Sequence, residues 1–166
     1  VQKNKPLIER VVTVTGKSLK NPSNLKVRIG TQIAELITFA GGLPGDTGKI
    51  ISGGPMMGKA VASLEVPVTK GTSGILLMPA PEATRGGRLP CIRCSRCLAV
   101  CPMGLEPYLL MTLAENKIMD RAENEKIMDC IECGSCSYTC PADRPILDYI
   151  RFGKARVGSI IRARKN

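Results

Sequence analysis

Cys91-Ile92-Arg93-Cys94-Ser95-Arg96-Cys97-Leu98-Ala99-Val100-Cys101-Pro102 decides how this chain reads, and it has an echo. Thirty-nine positions later stands Cys130-Ile131-Glu132-Cys133-Gly134-Ser135-Cys136-Ser137-Tyr138-Thr139-Cys140-Pro141. Each stretch is C-x2-C-x2-C-x3-C-P, and together they hold all eight cysteines. Three cysteines two residues apart form a tight loop whose sulfurs converge on one [4Fe-4S] cubane. The fourth has turned away beside a firm proline, and in two-cluster proteins it ligates the other cluster. This predicts Cys91, Cys94, Cys97 and Cys140 around cluster 1. It predicts Cys130, Cys133, Cys136 and Cys101 around cluster 2.

Rival readings of the cysteines fit less well. Structural zinc uses paired C-x2-C units or mixes in histidine, and the chain has no histidine. Disulfides suit secreted scaffolds, and nothing here suggests secretion. A blander reading is that the clusters only staple the fold.

Composition narrows the function. Missing histidine excludes serine–histidine hydrolysis, Rieske centres and histidine-based zinc catalysis. The net charge of +10 suits nucleic acid, anionic lipid or acidic proteins. With aromatics at only 3%, the stacking platforms of nucleic-acid binders are nearly absent. Arg93 and Arg96 inside the first run, with Arg85 and Arg88 before it, put positive charge beside an anionic thiolate site. Such charge favours the reduced form, although solvated loop arginines need no such role. The backbone amides of Gly134 and Ser135 are natural donors to cluster sulfur. No apolar run approaches transmembrane length, no signal peptide is seen, and reduced thiols point to the cytoplasm.

Outward from the cysteines, the pattern is that of a small sheet followed by helices. Residues 1–7 read as the tail of something upstream, since the chain opens at Val1 without methionine. Residues 8–14 and 25–29 read as strands. Thr31 is the expected N-cap of a helix with the stripe Ile33, Leu36, Ile37 and Ala40, which Gly41-Gly42 ends. Glu35 then falls one place too late for a capping box. A strand pair, one helix and more strand is the order of a β-grasp module. Gly53-Gly54-Pro55-Met56-Met57-Gly58-Lys59 approaches a phosphate loop but fails at Ala60. An extended stretch with Pro67 follows where a helix is required. Residues 42–59 therefore read as tight turns, and 66–70 and 74–78 as strands. After Pro102 the spacing predicts a helix from Leu105, broken near Glu115–Lys117, and a shorter one over 121–128. A last helix is expected over 145–157. Beyond it Arg162, Arg164 and Lys165 join Arg151, Lys154 and Arg156 in a basic end. That end is a solvated tail, or a docking segment for an anionic membrane surface.

Four stretches carry a resemblance. They are Ser52-Gly53-Gly54-Pro55-Met56-Met57-Gly58, Pro67-Val68-Thr69-Lys70-Gly71-Thr72-Ser73-Gly74, the run from Cys91, and the second run with its continuation to Tyr149-Ile150-Arg151-Phe152. With them the chain resembles the C-terminal part of the C subunit of the Rnf electron-transport complex. The resemblance implies an α+β chain: a small β-grasp (soluble-ligand-binding) domain, then an α-helical two-[4Fe-4S] ferredoxin domain. The expected divisions are a tail of an upstream flavoprotein domain over 1–7, β-grasp with strand extension over 8–79 and a linker over 80–87. The ferredoxin domain follows over 88–152 and a basic tail over 153–166. FMN and NAD(H) would belong to the upstream domain and to no residue here. The implied role is electron relay, with no catalytic residue in this chain. The setting is a peripheral subunit on the cytoplasmic face of a membrane complex that couples ferredoxin:NAD oxidoreduction to ion transport. Its partners would be other subunits of that complex and the upstream flavoprotein domain. Cobalamin reductases resemble the same family and are the alternative host. A ligand-binding β-grasp module with structural clusters is the alternative of another class.

Overall fold

The computed structural model describes residues 4–84 and 86–165, the side chain of Lys165 excepted. Of the expected upstream tail, residues 1–3 lie outside that range, as does Arg85. The chain divides into two compact units, with the boundary between residues 85 and 86.

In the first unit, β1 (Glu9–Gly16) and β2 (Ser23–Arg28) pair as antiparallel neighbours. Alternation along β1 puts Val12 and Val14 inside and Val11, Thr13 and Thr15 outside, as period-two side chains dictate. β3 (Thr47–Ser52), the two-residue β4 (Lys59–Ala60) and β5 (Gly74–Pro79) complete a sheet of order β2-β1-β5-β3-β4. The central pair, β1 and β5, is parallel and the other pairings are antiparallel. α1 (Ile33–Phe39) lays Ile33, Leu36 and Ile37 on Val12, Val14, Ile75 and Leu77. A helix held against a mixed sheet with parallel central strands is the β-grasp arrangement.

Three local expectations change. The N-cap of α1 is Gln32, one residue after Thr31, so Glu35 is in register and its carboxylate accepts from the Gln32 N–H at 3.4 Å. Residues 47–52 are a strand and not merely turns, because Ile50 and Ile51 pair with Leu77 and Leu76 of β5. Residues 66–70 form only an isolated bridge, Gln32 to Pro67. That segment does other work: Val66 O and Leu64 O accept from Ile33 N and Ala34 N, both at 3.0 Å. These are amides that the first turn of a helix leaves unpaired. The near phosphate loop is the β3–β4 turn, and a strand, not a helix, follows it. A Cβ at Gly58 would collide with Ile51 and the Gly54 carbonyl, which accounts for that glycine without any nucleotide.

Residues 80–83, within the expected linker, form a short helix, α2 (Ala80–Ala83), against β3. A Cβ on Gly48 would strike its Ala80 backbone.

The second unit is helical: α3 (Arg96–Ala99), α4 (Pro107–Glu115), α5 (Met119–Asn124), a 3-10 turn at Ile127–Asp129, α6 (Ser135–Tyr138) and α7 (Ile146–Lys165). Residues 153–165, expected as a tail, continue α7. The stripe Ile146, Ile150, Val157 and Ile161 keeps that helix on the core. Gly153 lets it approach closely, since a Cβ there would meet Ile127 and Ala114 of α4. Several basic residues of α7 are engaged internally. Arg151 and Lys154 reach Glu132 at 3.0 Å, and Arg164 reaches Glu123 at 2.8 Å and Asp120 at 3.4 Å.

Candidate metal centre

The 39-residue repeat is a repeat of backbone as well as of cysteines. Left-handed conformations fall at Arg93 and Glu132, at Ser95 and Gly134, and at Gly104 and Asp143, all at matching positions. Each run therefore loops twice through αL, enters a four-residue helix carrying its third cysteine, and leaves through Cys-Pro toward a long helix. These bends turn the chain around a volume and leave its sulfurs facing inward.

The eight cysteines separate into two cavities. Cys91, Cys94, Cys97 and Cys140 line one, of about 400 Å3. Cys101, Cys130, Cys133 and Cys136 line a second, smaller one. Each cavity thus draws three cysteines from one run and the last cysteine of the other. All eight thiols are free. Among the described residues no three Cys, Asp or Glu side chains converge closely enough to hold a single metal ion. Around the first cavity the sulfurs border a space that can take a cubane, while the second is far narrower. Donor type and number therefore fit [4Fe-4S] clusters.

The linings differ. Arg93, Arg96, Arg144 and Tyr108 border the first cavity. Leu105, Leu110, Leu147 and Ile150 border the second. Cys91 and Cys94 are exposed, whereas Cys136 is buried. Burial pushes the Cys136 thiol up to about 11. It also raises Cys97 and Cys130, the latter against the opposing charge of Lys154. Cys133 is lowered, first by the Ser135 hydroxyl, 3.5 Å away, and then by the Ser135 amide. A metal bound here takes thiolates, so loading releases protons from buried thiols.

Sulfur already accepts backbone hydrogen bonds from Leu105 N to Cys101 Sγ and from Glu132 N to Cys130 Sγ, both 3.4 Å. Of the two expected amide donors, Ser135 acts on Cys133, while Gly134 serves as the αL residue that opens α6. Arg93 and Arg96 line the first cavity, but Arg88 is turned to Glu115 at 2.6 Å and to the Tyr149 ring and hydroxyl. Sequence reasoning passed over Arg144. The signal was available: once Cys140 is assigned to the first cavity, its neighbours belong there too.

Comparison with known proteins finds two family models along the chain. Residues 11–60 match the SLBB domain and residues 87–141 the 4Fe-4S dicluster domain. The chain joins an SLBB domain to a 4Fe-4S dicluster domain. The dicluster half accordingly holds two [4Fe-4S] clusters. Over 93% of its length the chain is 47% identical to the C subunit of the proton-translocating ferredoxin:NAD(+) oxidoreductase complex of Clostridium ljungdahlii, of which it covers 34%. It is 42% identical over 92% of its length to the C subunit of the Na(+)-translocating ferredoxin:NAD(+) oxidoreductase complex of Acetobacterium woodii, again covering 34%. It is 41% identical over 95% of its length to the C subunit of the ion-translocating oxidoreductase complex of Rhodobacter capsulatus, covering 30%. The SLBB–dicluster chain thus spans about a third of the length of these relatives. Among the described residues no helix is long and apolar enough to cross a membrane.

Proposed function

We propose that this chain is the electron-relay module of an ion-translocating ferredoxin:NAD oxidoreductase, corresponding to the C-terminal part of its C subunit. Cys91, Cys94, Cys97 and Cys140 hold one cluster, and Cys101, Cys130, Cys133 and Cys136 hold the other. The partition of eight cysteines into two cavities of three plus one carries this reading. A [4Fe-4S] cluster, when bound, stores and passes on one electron at a time. The chain's own work is to hold the sulfurs, bury them to different depths and supply hydrogen bonds that set potential.

FMN and NAD(H) belong to an upstream domain, and other members of the complex are the electron partners. The protein sits peripherally, on the cytoplasmic face. At the end of α7, Arg164 is engaged within the chain by Glu123 and Asp120.

The test is cysteine replacement in the anaerobically reconstituted chain. The parent should bind about eight iron and eight sulfide and show two reversible reduced cubane signals. Cys140→Ala and Cys91→Ala should remove one and the same signal, and Cys101→Ala and Cys130→Ala the other. Loss of the same signal from Cys101→Ala and Cys91→Ala would overturn the crossed ligation. A parent whose clusters never change redox state would reduce them to staples.

A further inference from the structure

The two cavities are repeat-related, so a difference between matching positions is a difference in environment and not in architecture. Position 144 matches position 105. At the second cavity that place holds Leu105; at the first it holds Arg144. The Arg144 side chain is 15% exposed, and its Nε is buried with no hydrogen-bond partner among the described residues. Its other end is only loosely engaged: an Nη lies 3.5 Å from Glu115, a carboxylate that Arg88 holds more closely, at 2.6 Å. A guanidinium cannot shed its charge. A buried N–H without an acceptor costs free energy unless some group supplies one. The acceptors this cavity is built around are sulfurs.

Neighbouring positions lean the same way. Arg93 and Arg96 of the first run match Glu132 and Ser135 of the second. Glu132 is neutralised by Arg151 and Lys154, and Lys154 also donates to the Cys130 carbonyl at 2.6 Å. Positive charge near the second cavity is thus tied to a carboxylate and a carbonyl. At the first it lines the wall.

We propose that Arg144 makes the two clusters unequal. Its Nε–H donates to a sulfur of the cluster held by Cys91, Cys94, Cys97 and Cys140, and its charge raises that cluster's potential above its neighbour's. Hydrogen bonds to sulfur and local charge both favour the reduced state. An electron on this chain then rests at the more exposed of the two clusters, beside Cys91 and Cys94, where a partner can collect it. This role for Arg144 rests on the crossed ligation proposed for the relay.

The experiment is a potentiometric titration of the full reconstituted chain, followed by electron paramagnetic resonance, with iron and sulfide measured on each sample. Two one-electron couples are expected in the parent. Arg144→Leu, which copies the lining of the second cavity, should lower the higher couple and leave the lower one in place. The expected size is about a tenfold fall in the reduced-to-oxidised ratio at fixed poise, about 59 mV for one electron. Arg144→Lys, which keeps charge without the guanidinium fork, should fall between. A merely structural Arg144 would lower the melting temperature and move neither couple. With both clusters loaded, an unmoved higher couple, or a shift of the lower one alone, overturns the proposal and leaves the relay standing. Full recovery by lysine overturns the hydrogen bond. Should Arg144→Leu fail to load, Arg144→Met, which likewise removes both the charge and the donor, decides by the same criterion. A parent that binds no clusters overturns inference and relay together.

Discussion

Residues 9–79 enclose a core that is aliphatic throughout, with Val12, Val14, Ile33, Leu36, Ile37 and Ile75 at its centre. From Gly86 onward the buried cluster is interrupted by sulfur. Cys136 belongs to it, and Cys97, Cys130 and Cys140 pack at its margin beside Leu110, Ile127 and Ile150. The first unit closes on its own side chains. The second has short helices, αL bends at arginine, serine and glutamate, and cysteines where a small domain would place leucines. Domains of this size commonly need a staple. In the proposed relay the clusters would be both the redox groups and part of the packing that holds their ligands.

The hardest test of that contrast is to take the iron away. Chelation of the reduced chain should unfold the dicluster unit and spare the SLBB unit, because metal binding there is folding free energy. Limited proteolysis should leave a fragment ending near residue 85 and digest the rest. Equal survival of both halves would show that the second core is self-sufficient.

A smaller effect should come from the other side. Ile37 is 2% exposed between α1 and the sheet. Ile37→Ala should cost about 2–5 kcal/mol, seen as an early unfolding transition in urea. Iron content and the paramagnetic signals should stay at parent values. Loss of iron in that variant would mean that the SLBB core supports the clusters, against the independence of the two cores.

How much of this was legible in the sequence follows the range of the signals. The cysteine spacing is local and chemically exacting, so the runs alone indicated which cysteines line each cavity, and the β1, α1 and β5 regions were legible too. β3 was hidden because Thr47-Gly48-Lys49 sits in a glycine-rich stretch and its strand state comes from pairing with β5, far along the chain. The opposite error, a strand at 66–70, arose from β-branched composition in a segment whose carbonyls cap α1 instead. The full length of α7 escaped because Gly158 and Ser159, just past the expected end, weaken helix propensity. Packing of Val157 and Ile161 overrides that weakness. Arg144 was missed for a simpler reason: the arginines considered were those beside the first run, whereas Arg144 follows Cys140 of the second and lines the first cavity.

The smallest effect probes the backbone that the two runs share. Ser95 (φ 58°) and Gly134 (φ 82°) occupy matching αL positions ahead of α3 and α6. A side chain in that region costs about 1–2 kcal/mol, and glycine pays nothing there. The second run has therefore already relieved a strain that the first still carries. Gly134→Ser should destabilise the dicluster unit by about 1 kcal/mol. Ser95→Gly should change it by less, because strain relieved in the folded loop is offset by the freedom glycine adds to the unfolded chain. Urea midpoints of the loaded protein measure both. Equal and opposite shifts would mean that the loops differ in nothing but this residue. A large loss from Ser95→Gly would mean that the serine side chain holds the first loop in a way the backbone angles alone do not explain, and the likeness of the two runs would then end at their dihedrals.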